Sequence, residues 1–400
     1  MAGKKLRRIT YGGALIGHEE KKAIVKVIER NWWPLAAEGE KMEKEAAQFL
    51  GVKYGVLANS GSSAGLLALM ALELPKGSEV IISATTFPTI FNVIIQCGLI
   101  PVVVDAKVGT YNFDVEDVAR AIGPKTKAIW AIHAVGNPCD MLALMKLAKK
   151  HGVYVLEDNC DGWGSTINGK RVGSFGHMSI TSFHAAHIVA MGQGGGVFTD
   201  NREFARRARV YRDWGRQADL TPRPTDVPGL PRDYNPRFVY ERIGYNLSPL
   251  ELQAAMGRVQ LRKTDKIRKL RARNFDFLYR TFKKYEDYLM LPQWLERAEV
   301  CWFSFPLSVR GGVTRGALVA HLEKNGIETR SMFAGNIIRH PAYKKGVRYR
   351  VSGSLKGADT ILRDSFWISV HPRLSDDDRK YMADVFDSFF KKFLRSKAER

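Results

Sequence analysis

The residue types whose spacing can do chemistry gather in one stretch, Leu156–Asp200. The apolar run Val153–Leu156 hands over to Glu157 and Asp158. A buried strand ends in this way when it delivers a carboxylate to a site at its C-terminal edge. Ser179–Phe183 reads as another short strand, carrying Ser182; His184 and His187 follow, and then Gly192-Gln193-Gly194-Gly195-Gly196. Imidazole titrates near neutral pH, so a histidine placed here is competent as a general base and then as an acid. Earlier, Asn59-Ser60-Gly61-Ser62-Ser63 joins the apolar strand Tyr54–Ala58 to Ala64–Leu72, a strong helix former. Strand, Gly/Ser turn and helix N-terminus make an anion-binding arrangement, because free backbone N–H groups point outward there.

The elements that must position these groups alternate. Val80–Ser83, Pro101–Asp105 and Ala128–Ala134 read as strands, separated by helices Thr89–Gln96, Val115–Ile122 and Met141–His151. Gly196–Thr199 adds a last strand, and the alternation predicts a mostly parallel, helix-covered sheet. Before it, His18–Asn31 and Glu40–Phe49 have helical spacing. Asp219–Tyr240, rich in Pro and Arg, reads as a long loop of the functional or mobile kind. Pro249–Lys269 reads as a long helix leading into a smaller α+β unit: strand Val300–Pro306, helix Thr314–Lys324, a loop at Phe333–Asn336, strand Ser365–Val370 and helix Asp376–Phe393. The expected division is 1–260, a large domain, and 261–400, a small C-terminal one.

The 400 residues are 45% hydrophobic and 26% charged, an ordinary globular balance with room for a sizeable core. No apolar run approaches the roughly 20 residues of a membrane span, and MAGKKLRRITYGG carries charge without the apolar stretch of a secretory signal. The four cysteines are dispersed, which reads as reduced cytoplasmic thiols rather than a disulfide frame or zinc site. The net charge of +21 comes with no nucleic-acid-binding signature, only short clusters at Lys4–Arg8, Arg262–Arg273 and Lys391–Arg400. It reads as a solvated basic surface that draws in an anionic substrate, with neither nucleic acid nor membrane as partner.

The string Ser182-Phe183-His184-Ala185-Ala186-His187 and the glycine run after it resemble the cofactor loop of the DegT/DnrJ/EryC1/StrS sugar aminotransferase family. There SFHATK precedes GEGG, and the Lys holds pyridoxal phosphate as a Schiff base. His187 stands in place of that Lys, and no Lys lies between Lys170 and Lys263. The substitution resembles one branch, the nucleotide-sugar 3-dehydratases. So do Gly136-Asn137-Pro138-Cys139-Asp140, Glu157-Asp158-Asn159-Cys160-Asp161, Arg212-Asp213-Trp214-Gly215-Arg216, Ile243-Gly244-Tyr245-Asn246-Leu247 and Phe333-Ala334-Gly335-Asn336. The likeness is collinear over nearly the whole chain. It implies an aspartate-aminotransferase-like α/β fold (PLP fold type I), with a large cofactor domain and a small C-terminal one.

The resemblance also implies roles. Asp158 faces the pyridine nitrogen, Gly61, Ser62 and Ser182 hold the phosphate, and Phe87 stacks on the ring, where the branch often has Trp. Asn246, by residue type a helix cap before Ser-Pro, would reach the phosphate of a second subunit, so a homodimer with shared sites is expected. His187 would move protons at the cofactor's C4′ carbon and at the departing C3 hydroxyl of a nucleotide-diphosphate 4-keto-6-deoxysugar. Pyridoxal and pyridoxamine phosphate are the implied cofactor forms, with L-glutamate as amino donor. A CDP-sugar member of the branch carries a [2Fe–2S] cluster on cysteines near and beyond RDWGR. Here no Cys occurs between Cys160 and Cys301, so no iron–sulfur cluster is expected and the likeness is to the GDP-sugar enzyme. Gln193, Gly65 and SFHAAHI depart from the usual GEGG, Asn and SFYPAHH. An aminotransferase with a displaced Lys and a non-catalytic member of the fold are the alternatives.

Overall fold

The computed structural model describes residues 7–217, 227–231 and 233–399. Residues 219–226 and 232 of the expected 219–240 loop lie outside them; the described part includes a short 3-10 turn, Pro236–Phe238. Two helices, α1 (His18–Glu29) and α2 (Ala37–Leu50), precede the sheet, and α2 closes on Gly51 in the left-handed conformation that its missing Cβ permits.

Seven strands follow: β1 (Tyr54–Ala58), β2 (Glu79–Ser83), β3 (Ile100–Val104), β4 (Thr126–Ile132), β5 (Tyr154–Asp158), β6 (Met178–Ser182) and β7 (Gly195–Thr199). They lie in the order β1-β7-β6-β5-β4-β2-β3, with Arg350–Val351 returning from the C-terminal part to the β3 edge. All pair in parallel except β7, which is antiparallel to both neighbours. The reason is local. The 183–194 connection folds back on itself through Phe183 N–H to Gly194 C=O (2.9 Å) and Ala185 N–H to Gly192 C=O (3.0 Å), with no crossover helix to reverse the chain. The register that results sets Gly195 beside Ser182 on one side and beside Ala58 on the other.

Helices α3 (Gly61–Ala71), α4 (Pro88–Gln96), α5 (Val115–Ala121), α6 (Met141–His151) and α7 (Arg202–Arg212) cover the sheet, whose strand interiors are buried. Helix α3 starts at Gly61, not at Ala64 as the Gly/Ser run suggests. Ser60 is its N-cap and accepts from Ser63 N–H, so the Gly/Ser run is itself the first helical turn. The long helix expected over Pro249–Lys269 is two helices, α8 (Glu251–Arg262) and α9 (Thr264–Phe282). They part at Lys263, whose ammonium is held by Glu20 at 2.6 Å and Glu19 at 2.8 Å on α1.

The C-terminal unit is an antiparallel sheet of Leu289–Met290, Phe305–Val309, Arg330–Ser331 and Ser365–Ile368. Phe282, Phe305, Phe366, Phe386 and Phe390 pack its core. Its central strand starts later than expected, at Phe305. Residues 301–303 are turned toward the large sheet instead: Cys301 N–H donates to Ser165 Oγ (2.8 Å) and Phe303 N–H to Val135 C=O (2.9 Å). Among the described residues no helix is long and apolar enough to cross a membrane.

Candidate active site

Adjacent residues on a strand point to opposite faces, and that separates the two acids ending β5. Glu157 is fully buried and accepts from Gly173 N–H, Phe175 N–H and Gly176 N–H at 2.7 Å each, with His133 Nε2 at 3.0 Å. It is a structural anion that folds the 173–176 turn. Asp158 faces the other way, into a cavity of about 370 Å3. Its Oδ1 accepts from Cys160 N–H at 3.0 Å. Burial raises its pKa, and the nearby Asp161 charge adds to the shift.

Across the cavity is the first turn of α3. A Cβ built on Gly61 would lie 2.7 Å from Ser182 Cβ, so only glycine lets the α3 backbone come this close to the end of β6. The free N–H groups of that turn and the hydroxyls of Ser62 and Ser182 open on one space; Ser62 Oγ is 2.7 Å from Thr89 Oγ1. Phe87 caps α4 ahead of Pro88 at N1, and its ring, 58% exposed, stands at the cavity rim.

His187 lies in the β6–β7 connection. Its N–H donates to His184 C=O (2.9 Å), its ring centroid is 5.3 Å from that of Phe303, and its Nδ1 is 3.3 Å from Asp161 Oδ1. The His184 ring is 6.3 Å away; burial lowers its pKa and the His187 charge lowers it further.

Six of the seven residues singled out in the sequence therefore line one cavity: Gly61, Ser62, Phe87, Asp158, Ser182 and His187. Asn246 does not. It forms an antiparallel bridge with Asp213 and is not the cap of α8, which is Leu250 with Gln253. Sequence reasoning missed Tyr11, Thr89, Cys160, Asp161, Phe303, Phe333 and Trp367. Asp161 carried a signal, an acid three residues past Asp158 in the same motif. Phe333 lay in a motif that resembles the family, but Tyr11, Phe303 and Trp367 carried no signal, because they come from the N-terminal residues and the small unit.

The buried Asp158 carboxylate, the glycine-dependent α3 cradle with its hydroxyls, and the aromatic at the rim fit the ring nitrogen, phosphate and ring face of pyridoxal phosphate. Comparison with known proteins agrees. Residues 14–387 match the DegT/DnrJ/EryC1/StrS aminotransferase family. The chain belongs to this family. It is 37% identical to the lipopolysaccharide biosynthesis protein RfbH of Salmonella typhimurium, over 94% of this chain and 91% of that one. It is 35% identical to the dTDP-4-dehydro-2,6-dideoxy-D-glucose 3-dehydratase of Saccharopolyspora spinosa, over 96% and 87%. A solved GDP-4-keto-6-deoxymannose-3-dehydratase with a trapped PLP–glutamate geminal diamine superposes with a TM-score of 0.88 at 29% identity, covering 94% of this chain and all of that one. The fold is thus the PLP fold type I of this family, an α/β architecture with a large mostly parallel sheet.

Proposed function

We propose that this family member is a pyridoxamine/pyridoxal-phosphate-dependent 3-dehydratase of a nucleotide-linked 4-keto-6-deoxysugar, serving dideoxysugar and surface-polysaccharide synthesis. One observation carries the reading: the described residues lining the cavity include three histidines, His133, His184 and, on the 183–194 connection where the family has its lysine, His187, but no lysine. Imidazole cannot hold the cofactor covalently, so the amine form is free to bind and leave. When bound, that cofactor supplies an amino group for the sugar ketone and a ring that accepts an electron pair.

The protein's own groups do the rest. Asp158 would hold the ring nitrogen and keep it protonated, and that cation would in turn offset the cost of its buried carboxylate. Gly61, Ser62 and Ser182 fix the phosphate, and Phe87 covers a ring face. His187 would carry on its imidazole the proton released at the cofactor's C4′ carbon and deliver it to the C3 hydroxyl, which would leave as water. A single fixed group serving both steps replaces two bimolecular transfers by oriented ones. Tyr11, Phe303, Phe333 and Trp367 keep water from that side.

The four cysteines are free and dispersed, Cys139 and Cys301 buried. The reading is of a cluster-free enzyme, in which the product amine hydrolyses with loss of ammonia and L-glutamate restores the cofactor. Asn246 would serve the phosphate of a second copy. Trp214, Phe238, Tyr240, Ile243 and Tyr245 around it are exposed, Ile243 to 94%, a patch that a homodimer would cover. We place the enzyme in the cytoplasm and its domain boundary near residue 260.

Offering GDP-, CDP- and dTDP-linked 4-keto-6-deoxysugars with glutamate tests the reading. Glutamate-dependent ammonia release with loss of the C3 oxygen is expected. A 4-amino sugar that keeps its C3 hydroxyl, or pyridoxal phosphate trapped on a lysine by borohydride, would identify an aminotransferase instead.

A further inference from the structure

The acid–base reading leaves a set of charges behind His187 unused. Asp161 is 7% exposed, and its Oδ1 faces His187 Nδ1 at 3.3 Å. The contact is a close approach without a hydrogen bond: Nδ1 is buried and meets no acceptor at hydrogen-bonding angles. Behind Phe303 lies Arg271 of α9, 2% exposed, with its guanidinium 5.7 Å from the Phe303 ring centroid. Its Nη1 donates to Phe303 C=O at 2.6 Å and lies 3.4 Å from Trp302 C=O, and its Nε is buried without a partner. Burial brings its pKa down to about 10, while the Cys301 and Asp161 charges oppose that shift, so it remains a cation at neutral pH.

A buried cation without a paired carboxylate is costly, and the anion whose field reaches it is Asp161. Two acids, Asp158 and Asp161, share this region and repel. The Asp158 carboxyl is pushed up, chiefly by burial and further by Asp161, and the field of Asp161 reaches Arg271.

We propose that Asp161 is the positioning residue of His187: its carboxylate holds the Nδ1 side of the imidazole, fixes the neutral ring with the proton on Nδ1, and leaves the Nε2 lone pair facing the substrate. A carboxylate behind an imidazole fixes the tautomer and stabilises the imidazolium once it has taken a proton. The other titratable groups around this ring are His184 on the same connection and Asp158 and His133 lining the same cavity, with Arg271 of α9 behind Phe303. The proposal rests on His187 being the acid–base group of the reaction.

The test reads the ring directly, in the cofactor-free full chain. With 15N- and 13C-labelled histidine, the neutral His187 is expected as the Nδ1–H tautomer. Asp161→Asn is expected to lower the His187 titration midpoint by about 1 pH unit or more, while His321, distant on the Arg315–Lys324 helix, does not move. In the loaded enzyme the same variant should lose about 100-fold or more in kcat with little change in KM, the alkaline limb of its pH profile shifting with the NMR midpoint. An Nε2–H tautomer, or a midpoint unmoved by Asp161→Asn, overturns the role. If Asp161→Asn does not fold, the wild-type tautomer alone decides. Failure of every nucleotide sugar to react would instead sink the dehydratase reading, leaving the NMR result standing.

Discussion

Gly61 and Ser182 stand so close that a Cβ on the first would lie 2.7 Å from the Cβ of the second. The end of β6 and the start of α3 therefore share one narrow anion cradle. Gly61→Ala is expected to push Ser182 aside and weaken pyridoxal-phosphate binding by about 10-fold or more, a loss of at least about 1.4 kcal/mol. Cofactor titration followed by absorbance measures it; unchanged affinity would mean that the phosphate lies elsewhere.

His187 carries the functional reading. His187→Asn should reduce dehydration by about 10²–10⁴-fold, the usual contribution of a general acid–base group, without loss of cofactor binding. His187→Lys should do the same and make pyridoxal phosphate trappable by borohydride. Full dehydratase activity in either variant would defeat the assignment.

Asp158 sets a pH dependence. Its carboxyl titrates above its unfolded value near 3.8, chiefly because it is buried. Between the unfolded and native values the folded chain binds more protons than the unfolded one, so stability falls as pH rises through that window and the cost persists above it. Asp158→Asn is expected to raise the melting temperature of the cofactor-free protein at neutral pH and to abolish activity. Calorimetry across acid to neutral pH, on both proteins, checks the sign.

Glu157 is expected to behave in the opposite way to its neighbour. It satisfies three backbone N–H groups and His133, and a glutamine keeps only one of its two acceptor oxygens. Glu157→Gln should cost about 1–3 kcal/mol of stability by leaving buried donors unpaired. Denaturant unfolding measures it, and a cost below that range would show that the turn at 173–176 holds without the charge.

The patch around Asn246 gives an assembly prediction. Ile243→Glu puts a charge at its most exposed apolar position, 94% accessible, and should weaken self-association by about 10-fold or more. Light scattering at graded concentration reads the mass. A wild type that is monomeric at micromolar concentration would remove Asn246 from the site.

Helix α6 and strand β1 were legible to the residue, because each is a periodic run bounded by turn residues. The break at Lys263 was not, since every residue there suits a helix and what divides it is an ion pair with α1, more than 240 positions away. The late start of the Phe305–Val309 strand has the same origin: residues 301–303 are engaged by Val135 and Ser165.

By itself the sequence determined the βα alternation, the group of residues Gly61, Ser62, Phe87, Asp158, Ser182 and His187, and the absence of a lysine where the family has one. The alternation is a property of local pattern; the site residues and the missing lysine came from the resemblance of whole motifs to a known family. Only the tertiary structure gave Glu157 its work, tying it to the 173–176 turn on the face opposite the cavity. It alone brought Asp161, Phe303 and the buried Arg271 to the imidazole. Phe303 and Arg271 are set there by how the segment 301–303 and α9 pack against the turns after β4 and β5, which no short window of sequence encodes.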